Sequence, residues 1–288
     1  MNHQYLPNLW IAIPDSSLLD EQTSRDKAIK ICQFARACAI FRVSKIYIYH
    51  DSSQGPKSED LLLLTTVLRY LDTPQYLRKI LFPHSKELAY AGILHPLSSP
   101  HHQKLQRIED VKIGDIRVGV ILQMNGHYFA DVGLGSLVLL DTRKKDYTKK
   151  INVKITSTKP ILKGVEASTD DIGTYWGYEV FNTRNLGELI EMLPNTHIIL
   201  TSRKGRYITN VDPEVFAFKS SDNVLIVFGS PKRDLDEIFA SEGEKIKKSY
   251  MMLNTFPLQA TRTVRLEEAI LGSLALFNYI LLKQTVGK

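Results

Sequence analysis

Cysteine is scarce in this chain of 288 residues, and long apolar runs are missing. Only Cys32 and Cys38 occur, too few for a disulfide framework, so we expect buried thiols in a reducing compartment. The most apolar late run, residues 270–282, is too short to cross a bilayer and contains Ser273 and Asn278. The N-terminus has neither a basic segment nor a long apolar stretch, which argues against a signal peptide. These absences predict a soluble cytoplasmic protein with no membrane partner.

Several cofactor motifs are also absent. No G-x-G-x-x-G follows the first predicted strand and no G-x-x-x-x-G-K-[ST] occurs, so neither a Rossmann dinucleotide site nor a P-loop is supported. His95, His101 and His102 have no recognisable zinc spacing with either cysteine, so we expect no metal site. A Ser/His/Asp triad cannot be read from the sequence, because its spacing is unconstrained along the chain.

The charge balance is mildly basic. There are 37 lysines and arginines against 31 acidic residues, which gives a formal net charge of +6 and an isoelectric point near 9.1. This permits nucleic acid as a partner without requiring it, since many basic proteins bind no polyanion. Hydrophobic residues make up 43% of the chain, which is enough for a large core and excludes disorder by composition.

The order of predicted elements indicates an α/β fold with an insertion. Strand and helix patterns alternate from residue 9 to about residue 80, which is typical of a parallel sheet covered by helices. From residue 113 to 165 short strands alternate with turns, including a hairpin signal at Asn125-Gly126, and this predicts a small β-barrel. Alternation then resumes. We therefore divide the chain into a first α/β part at residues 1–90, a β-insert at 91–167 and a second α/β part at 168–288.

Three loops that follow strands in the C-terminal half are candidates for a ligand site. They end the stretches "HIILTSRKG", "NVLIVFGSPKRD" and "SYMMLNTFPLQATRT". Ligands of open parallel sheets bind beyond the carboxyl ends of the strands, so these loops are expected to converge on one ligand. Each is a weak signal alone, because "FGSP" is also an ordinary turn in which Gly229 permits an unusual backbone angle.

One arginine, Arg36, lies in the otherwise apolar helix pattern of residues 24–41. In one interpretation its stem packs on the sheet while the guanidinium reaches solvent. In the other, the guanidinium is directed at a phosphate or at a polar edge of a substrate. Spacing alone does not separate the two.

The predicted barrel carries a basic run, "TRKKDYTKKINVK", with Tyr128, Phe129 and Tyr147 nearby in sequence. Cations that meet phosphates and rings that stack on bases suit single-stranded nucleic acid. A solvated hairpin is the alternative, since lysine-rich turns are common. The barrel context favours RNA, and the residues expected to bind it are Arg143, Lys144, Lys145, Lys149 and Lys150.

Five segments carry a resemblance to a known family. They are "ARACAIFRVSKIYIY", "LRYLDTPQYLRKILFP", "LAYAGILHPLSSPHH", "VFGSPKRDLDEIF" and "NTFPLQATRTVRLEEAILGSLALFNYI". Together they make the chain similar to archaeal and eukaryotic SPOUT-class methyltransferases that carry an inserted OB-fold-like barrel. The resemblance implies an α/β SPOUT parallel sheet with a C-terminal trefoil knot, interrupted by the barrel. True knots are rare, and the sequence pattern alone would not have suggested one.

The same resemblance implies S-adenosylmethionine as cofactor, a homodimer built partly on the last helix, and RNA as substrate, with methyl transfer to uridine N3 of ribosomal RNA. Arg36 matches an arginine in the first signature helix of related enzymes and would be the catalytic residue, although the asparagine usual near the start of that signature is not evident. The residues implied to bind the cofactor are Thr201, Ser202, Gly205, Phe228, Gly229, Ser230, Pro231, Leu253, Asn254, Phe256, Pro257, Thr263 and Val264.

Two other functions stay open at this point. The protein could bind cofactor and RNA without transferring a methyl group, as an RNA-processing partner, or the acceptor could be a ribosomal protein. The sequence identifies no general base. Glu267 and Glu268 are polar candidates at the site, but carboxylates at the start of a helix more often stabilise its N-terminus.

The last predicted helix, residues 266–282, is apolar over a wide arc. Such a helix should be buried on more than one side. A second subunit would cover the additional side, and Ala269, Gly272, Ser273 and Ala275 would allow its close approach.

Overall fold

The computed structural model describes residues 6–52, 59–104, 106–141, 150–168, 171–243 and 250–286. Contacts divide the chain into two compact units. One comprises Met1–Arg69, Lys86–Leu97 and Gly177–Lys288, and the other comprises Tyr70–Ser85 and Ser98–Trp176. Residues 70–85 therefore pack with the barrel, whereas the sequence pattern had grouped them with the first α/β part.

The strands are β1 (Asn8–Pro14), β2 (Val43–Tyr49), β3 (Ile116–Met124), β4 (His127–Asp131), β5 (Val138–Leu140), β6 (Lys150–Ser157), β7 (Lys163–Glu166), β8 (Glu179–Thr183), β9 (Thr196–Tyr207), β10 (Asn223–Val227) and β11 (Met251–Asn254). The α-helices are α1 (Ser24–Ile40), α2 (Glu59–Leu71), α3 (Gln75–Leu81), α4 (Leu186–Glu191), α5 (Leu235–Ser241) and α6 (Leu266–Val286). Pro213–Phe216 forms a short 3₁₀ turn.

A six-stranded sheet in the order β11-β9-β10-β1-β2-β8 forms the first unit, and each neighbouring pair is parallel. Residues 9–14 of β1 are all buried, because helices cover both faces of the sheet. On one face the core joins Tyr49 and Val227 to α4 and α5, for example through Leu186 and Leu235. Helices α1 and α6 pack against each other. The predicted α/β alternation with a parallel sheet is confirmed.

Helix α1 shows why the local sequence folds as it does. Thr23 caps its N-terminus by accepting a hydrogen bond from the backbone N–H of Asp26 at 3.1 Å. Apolar side chains at helical spacing, such as Ile31, Ala35 and Cys38, are buried.

The second unit contains a closed barrel in the order β3-β4-β5-β7-β6. Its strands are antiparallel to their neighbours except for the pair β5 and β7, which is parallel. Ile121, Ala130, Val138, Val153 and Ile155 fill the interior. The predicted small β-barrel is therefore present. In the part of the chain that the structure describes, no helix has the length and apolar character needed to cross a membrane.

Candidate active site

Three adjacent parallel strands are β9, β10 and β11, and an excursion within β9 together with the loops that follow β10 and β11 lines one cavity of about 380 Å³. The structure thus brings together most of the residues implied to bind a cofactor. Those that line the cavity are Thr201, Ser202, Phe228, Gly229, Ser230, Pro231, Asn254, Phe256, Thr263 and Val264. Gly205, Leu253 and Pro257 are not among its lining residues.

The first loop is an excursion within strand β9. Met252 pairs with Leu200, but the next residue, Leu253, pairs with Arg206, so residues 201–205 leave the ladder. Gly205 closes this excursion against the neighbouring strand. A Cβ at Gly205 would lie 2.5 Å from the carbonyl carbon of Leu253, so only glycine fits there without a backbone shift. Gly205 and Leu253 therefore lie next to the residues that line the cavity, but they do not line it themselves.

The second loop is tied to the strands beside it. The backbone N–H of Phe228 donates to the carbonyl of Ala12 at 2.9 Å, and the hydroxyl of Tyr49 donates to the carbonyl of Phe228 at 2.6 Å. The N–H of Ser230 then donates to the carbonyl of Arg233 at 3.1 Å, which closes a turn. These bonds hold the loop from both ends, so its lining atoms occupy fixed positions.

The third loop is organised by Asn254, which is buried. Its side-chain Nδ2 donates to the carbonyl of Arg203 at 2.9 Å, and its Oδ1 accepts from the N–H of Phe256 at 2.9 Å. One amide thereby joins the first loop to the third. The next residue, Thr255, bonds to Ser273 of α6 with 2.8 Å between the hydroxyl oxygens, which fastens the loop to the last helix.

Helix α6 uses its small residues differently from the sequence prediction. A Cβ at Gly272 would lie 2.3 Å from Cζ of Phe256, and Ser273 is fully buried. Both residues therefore pack inside their own chain, and the prediction that they admit a second subunit is wrong for them. The face of α6 that stays exposed carries Leu271, Ala275 and Tyr279.

Sequence reasoning missed the charges of the cavity. Among the described residues, the carboxylates that line it are Asp234 and Glu237, and the cations are Arg203, Lys232, Arg233 and Arg262. Arg233 is held at 2.6 Å by the buried carboxylate of Asp51. The signal was available, because "SRKG" lies within β9 and "PKRD" comes shortly after β10.

Arg36 does not line this cavity. Its Nη1 donates to the carbonyls of Pro96 and Leu97 at 3.1 and 3.2 Å. The side chain borders a second cavity of about 610 Å³, formed by α1, residues 93–95 and the start of α6. The two cavities have no lining residue in common. Within a single chain, the predicted catalytic arginine is therefore separate from the predicted cofactor loops.

The two glutamates at the start of α6 have structural partners. Glu268 accepts from the backbone N–H of Arg265 at 2.9 Å, as a helix-capping residue does. Glu267 lies 3.2 Å from the ammonium of Lys30, a lysine with only 2% of its side chain exposed. Lys30 also binds Asp20 at 2.5 Å. These pairs connect α1 to the start of α6.

Of the residues predicted to bind RNA, the structure describes one. Arg143, Lys144, Lys145 and Lys149 lie outside the described residues. Lys150 begins β6, and its ammonium lies 2.5 Å from a carboxylate oxygen of the buried Asp72. The charge of Lys150 is thus already paired within the protein.

Comparison with known proteins identifies the family of this chain. Residues 8–277 match the family described as "Putative RNA methyltransferase". The chain belongs to this family. The matched range includes both compact units and all three loops of the cavity.

Three relatives of the family carry a specific name, 28S rRNA (uridine-N(3))-methyltransferase. The protein from Drosophila melanogaster is 31% identical over 306 residues, which cover 93% of this chain and 61% of the relative. Those from Mus musculus and Homo sapiens are each 30% identical over 93% of this chain, and cover 75% and 77% of the relatives. The chain thus spans about three fifths of the fly protein and about three quarters of the two mammalian proteins.

Proposed function

We propose that this chain transfers a methyl group from S-adenosylmethionine to N3 of a uridine in ribosomal RNA. The observation that carries the proposal is the match of residues 8–277 to an RNA methyltransferase family, with one cavity at the ends of three parallel strands. The acceptor atom is proposed from the three relatives named for uridine N3 of 28S rRNA.

The cavity suits a nucleoside cofactor. Its volume of about 380 Å³ is in the range of small-molecule pockets, roughly 300–1,000 Å³. Phe256 offers an apolar surface and Asn254 holds the surrounding backbone in place, while the nearby cations suit a carboxylate. When bound, S-adenosylmethionine supplies a sulfonium methyl group that needs little further activation. The three loops would hold it and align it with the uridine nitrogen.

Arg36 is proposed to stabilise the negative charge that develops on uridine when N3 loses its proton. Because Arg36 lies apart from the cavity of its own chain, the proposal assigns the active site to a homodimer, in which Arg36 of the partner subunit completes the site. Exposed apolar side chains support such an interface: Leu271 is 46% exposed, Tyr279 64% and Ile40 50%.

The sheet is proposed to be a SPOUT sheet with a C-terminal knot, and the barrel an OB-like insert that binds RNA through Arg143 and the lysines around it. The protein is proposed to act in the cytoplasm. Support for the barrel's role comes from the basic run that joins β5 to β6.

Calorimetry with S-adenosylmethionine and a labelled-methyl assay on unmodified rRNA and on ribosomal proteins test the proposal. We expect cofactor binding and label in RNA, at a uridine mapped as N3-methyl by mass spectrometry. Binding without label in either fraction would point to a non-catalytic RNA-processing partner. Label in protein alone would identify a protein methyltransferase, and no binding at all would overturn the cofactor assignment.

A further inference from the structure

Three polar side chains of the barrel unit lie close together. Asp72 precedes α3, and His101 and His102 come from the segment that leads into the barrel. The potential ligand atoms of the three residues all lie within 4.8 Å of one another. His101 is 1% exposed and the side chain of Asp72 is 4% exposed. Buried polar groups of this kind need partners.

The ring nitrogens do not all have such partners. Nδ1 of His101 and Nε2 of His102 are buried and make no hydrogen bond to any described residue. Oε1 of Gln103, the next residue, is also buried without a hydrogen-bond partner among the described residues. A buried acceptor left unpaired is unfavourable, and an ion or an ordered water is the usual explanation. Three such atoms in consecutive residues therefore make this position a candidate for binding an ion or a water.

The hydrogen bond of His101 identifies which nitrogen is available. Its Nε2 lies 2.8 Å from the main-chain oxygen of Asp72, which can only accept, and 3.2 Å from Oδ1 of the same residue, so Nε2 carries the hydrogen. In the neutral ring the lone pair then resides on Nδ1, the nitrogen without a partner. Histidines that bind metals usually donate their other N–H to a backbone carbonyl or a carboxylate in this way.

We propose that Nδ1 of His101, Nε2 of His102 and the carboxylate of Asp72 bind one Zn²⁺ ion. Two imidazoles and a carboxylate are an established ligand set for zinc, and a water would complete four-coordination. The site belongs to the barrel unit and shares no residue with the candidate active site. The zinc proposal can therefore be tested independently of methyl transfer. Its role would be to hold the α3 region to the segment that enters the barrel.

The charges around the site bear on this proposal. Lys150, whose ammonium lies 2.5 Å from Oδ2 of Asp72, is a competing cation. Replacing Lys150 by Met should therefore strengthen metal binding, by roughly tenfold for the loss of one nearby charge.

The test uses the full chain, stripped with a chelator and titrated with zinc chloride by calorimetry, and with Co²⁺ followed by absorption. We expect one ion per chain, with affinity reduced at least about tenfold in His102→Gln and in Asp72→Asn. His127→Gln is the matched control, because His127 is an exposed histidine of the same unit. Circular dichroism checks that each variant folds, and His101→Gln serves as a further variant.

Two results would overturn the zinc site. The first is an absence of stoichiometric uptake by the folded wild-type chain at micromolar Zn²⁺. The second is uptake that His102→Gln and Asp72→Asn leave unchanged. In either case a buried water would be the partner of the ring nitrogens.

Discussion

The ring of Phe256 lies against Gly272, so close that a Cβ on the glycine would come within 2.3 Å of the ring. This contact positions the third loop of the cavity on the last helix. Gly272→Ala should force Phe256 out of place, lower the melting temperature and weaken S-adenosylmethionine binding by roughly tenfold, as overpacking commonly costs about 1–3 kcal/mol. Calorimetry measures the affinity. Gly92→Ala is the control, because a Cβ there meets no atom within 4 Å, and equal effects of the two variants would contradict the prediction.

Asn254 should be required for the shape of the cavity. Asn254→Ala leaves the carbonyl of Arg203 and the N–H of Phe256 without their partner, at a cost of about 1–3 kcal/mol. Asn254→Asp keeps the acceptor for Phe256 but sets a carboxylate against a carbonyl, so it should also weaken cofactor binding. Asn8→Ala, which removes an exposed amide pair, should leave the affinity unchanged. Wild-type affinity in Asn254→Ala would refute this role.

Arg36→Ala should separate binding from turnover. Since Arg36 does not line the cofactor cavity of its own chain, S-adenosylmethionine affinity should stay as in the wild type, while methyl transfer falls by about 10²–10³-fold. Arg25→Ala, at an exposed position of the same helix, should change neither. Loss of cofactor affinity in Arg36→Ala would instead place this arginine in the binding site.

Subunit complementation tests the proposed homodimer directly. Arg36→Ala and Asn254→Ala damage different parts of the site, so a mixed dimer would contain one intact site built from both chains. Co-refolding the two inactive variants should then restore part of the activity, and light scattering should show a dimer. If mixing restores nothing while the variants do form dimers, each active site lies within a single chain.

The lysines predicted to bind RNA should divide into two groups. Replacing Lys144, Lys145 and Lys149 by Ala should weaken RNA binding and flatten its salt dependence, by about 0.7 in slope for each phosphate that the protein no longer neutralises. Lys150→Ala should instead lower stability, because it removes the cation paired with the buried Asp72. Lys86→Ala, at an exposed ion pair, is the control for stability. An unchanged salt slope in the triple variant would place the RNA elsewhere.

The two thiols should be unreactive in the native protein. Burial raises the pKa of Cys32 and of Cys38, and only the thiolate reacts with alkylating reagents. At pH 8 we expect slow labelling of both, followed by complete labelling in denaturant. Rapid labelling of Cys38 in the folded chain would contradict its burial.

Much of the fold could be predicted because local patterns suffice for it. The period of apolar residues located α1, and the runs of apolar residues located β1 and β10, since each pattern follows from which faces are buried. Local pattern did not show that residues 70–85 pack with the barrel, because that grouping depends on contacts between residues far apart in sequence.

The site was predictable in part for the same reason. Ligand loops follow parallel strands, so the positions of the three loops could be read along the chain. Two contacts could not be predicted in this way, because each joins residues far apart in sequence. They are the contact of Gly205 with Leu253 and the contact of Gly272 with Phe256. The zinc ligands proposed at Asp72, His101 and His102 could not be recognised from the sequence, because Asp72 lies 29 residues before His101.

Some features of this protein follow from the local sequence, and others follow only from contacts between distant residues. By itself the sequence determined the α/β alternation, the β-insert, the scarcity of thiols and the identity of the strand-end loops, because these follow from composition and short-range period. Only the tertiary structure decided that Arg36 lies apart from the three loops of the candidate cavity and that α6 turns Gly272 and Ser273 inward. The order of the strands in the sheet determines which loops and helices lie next to one another. That order results from long-range packing and cannot be read from a local sequence pattern.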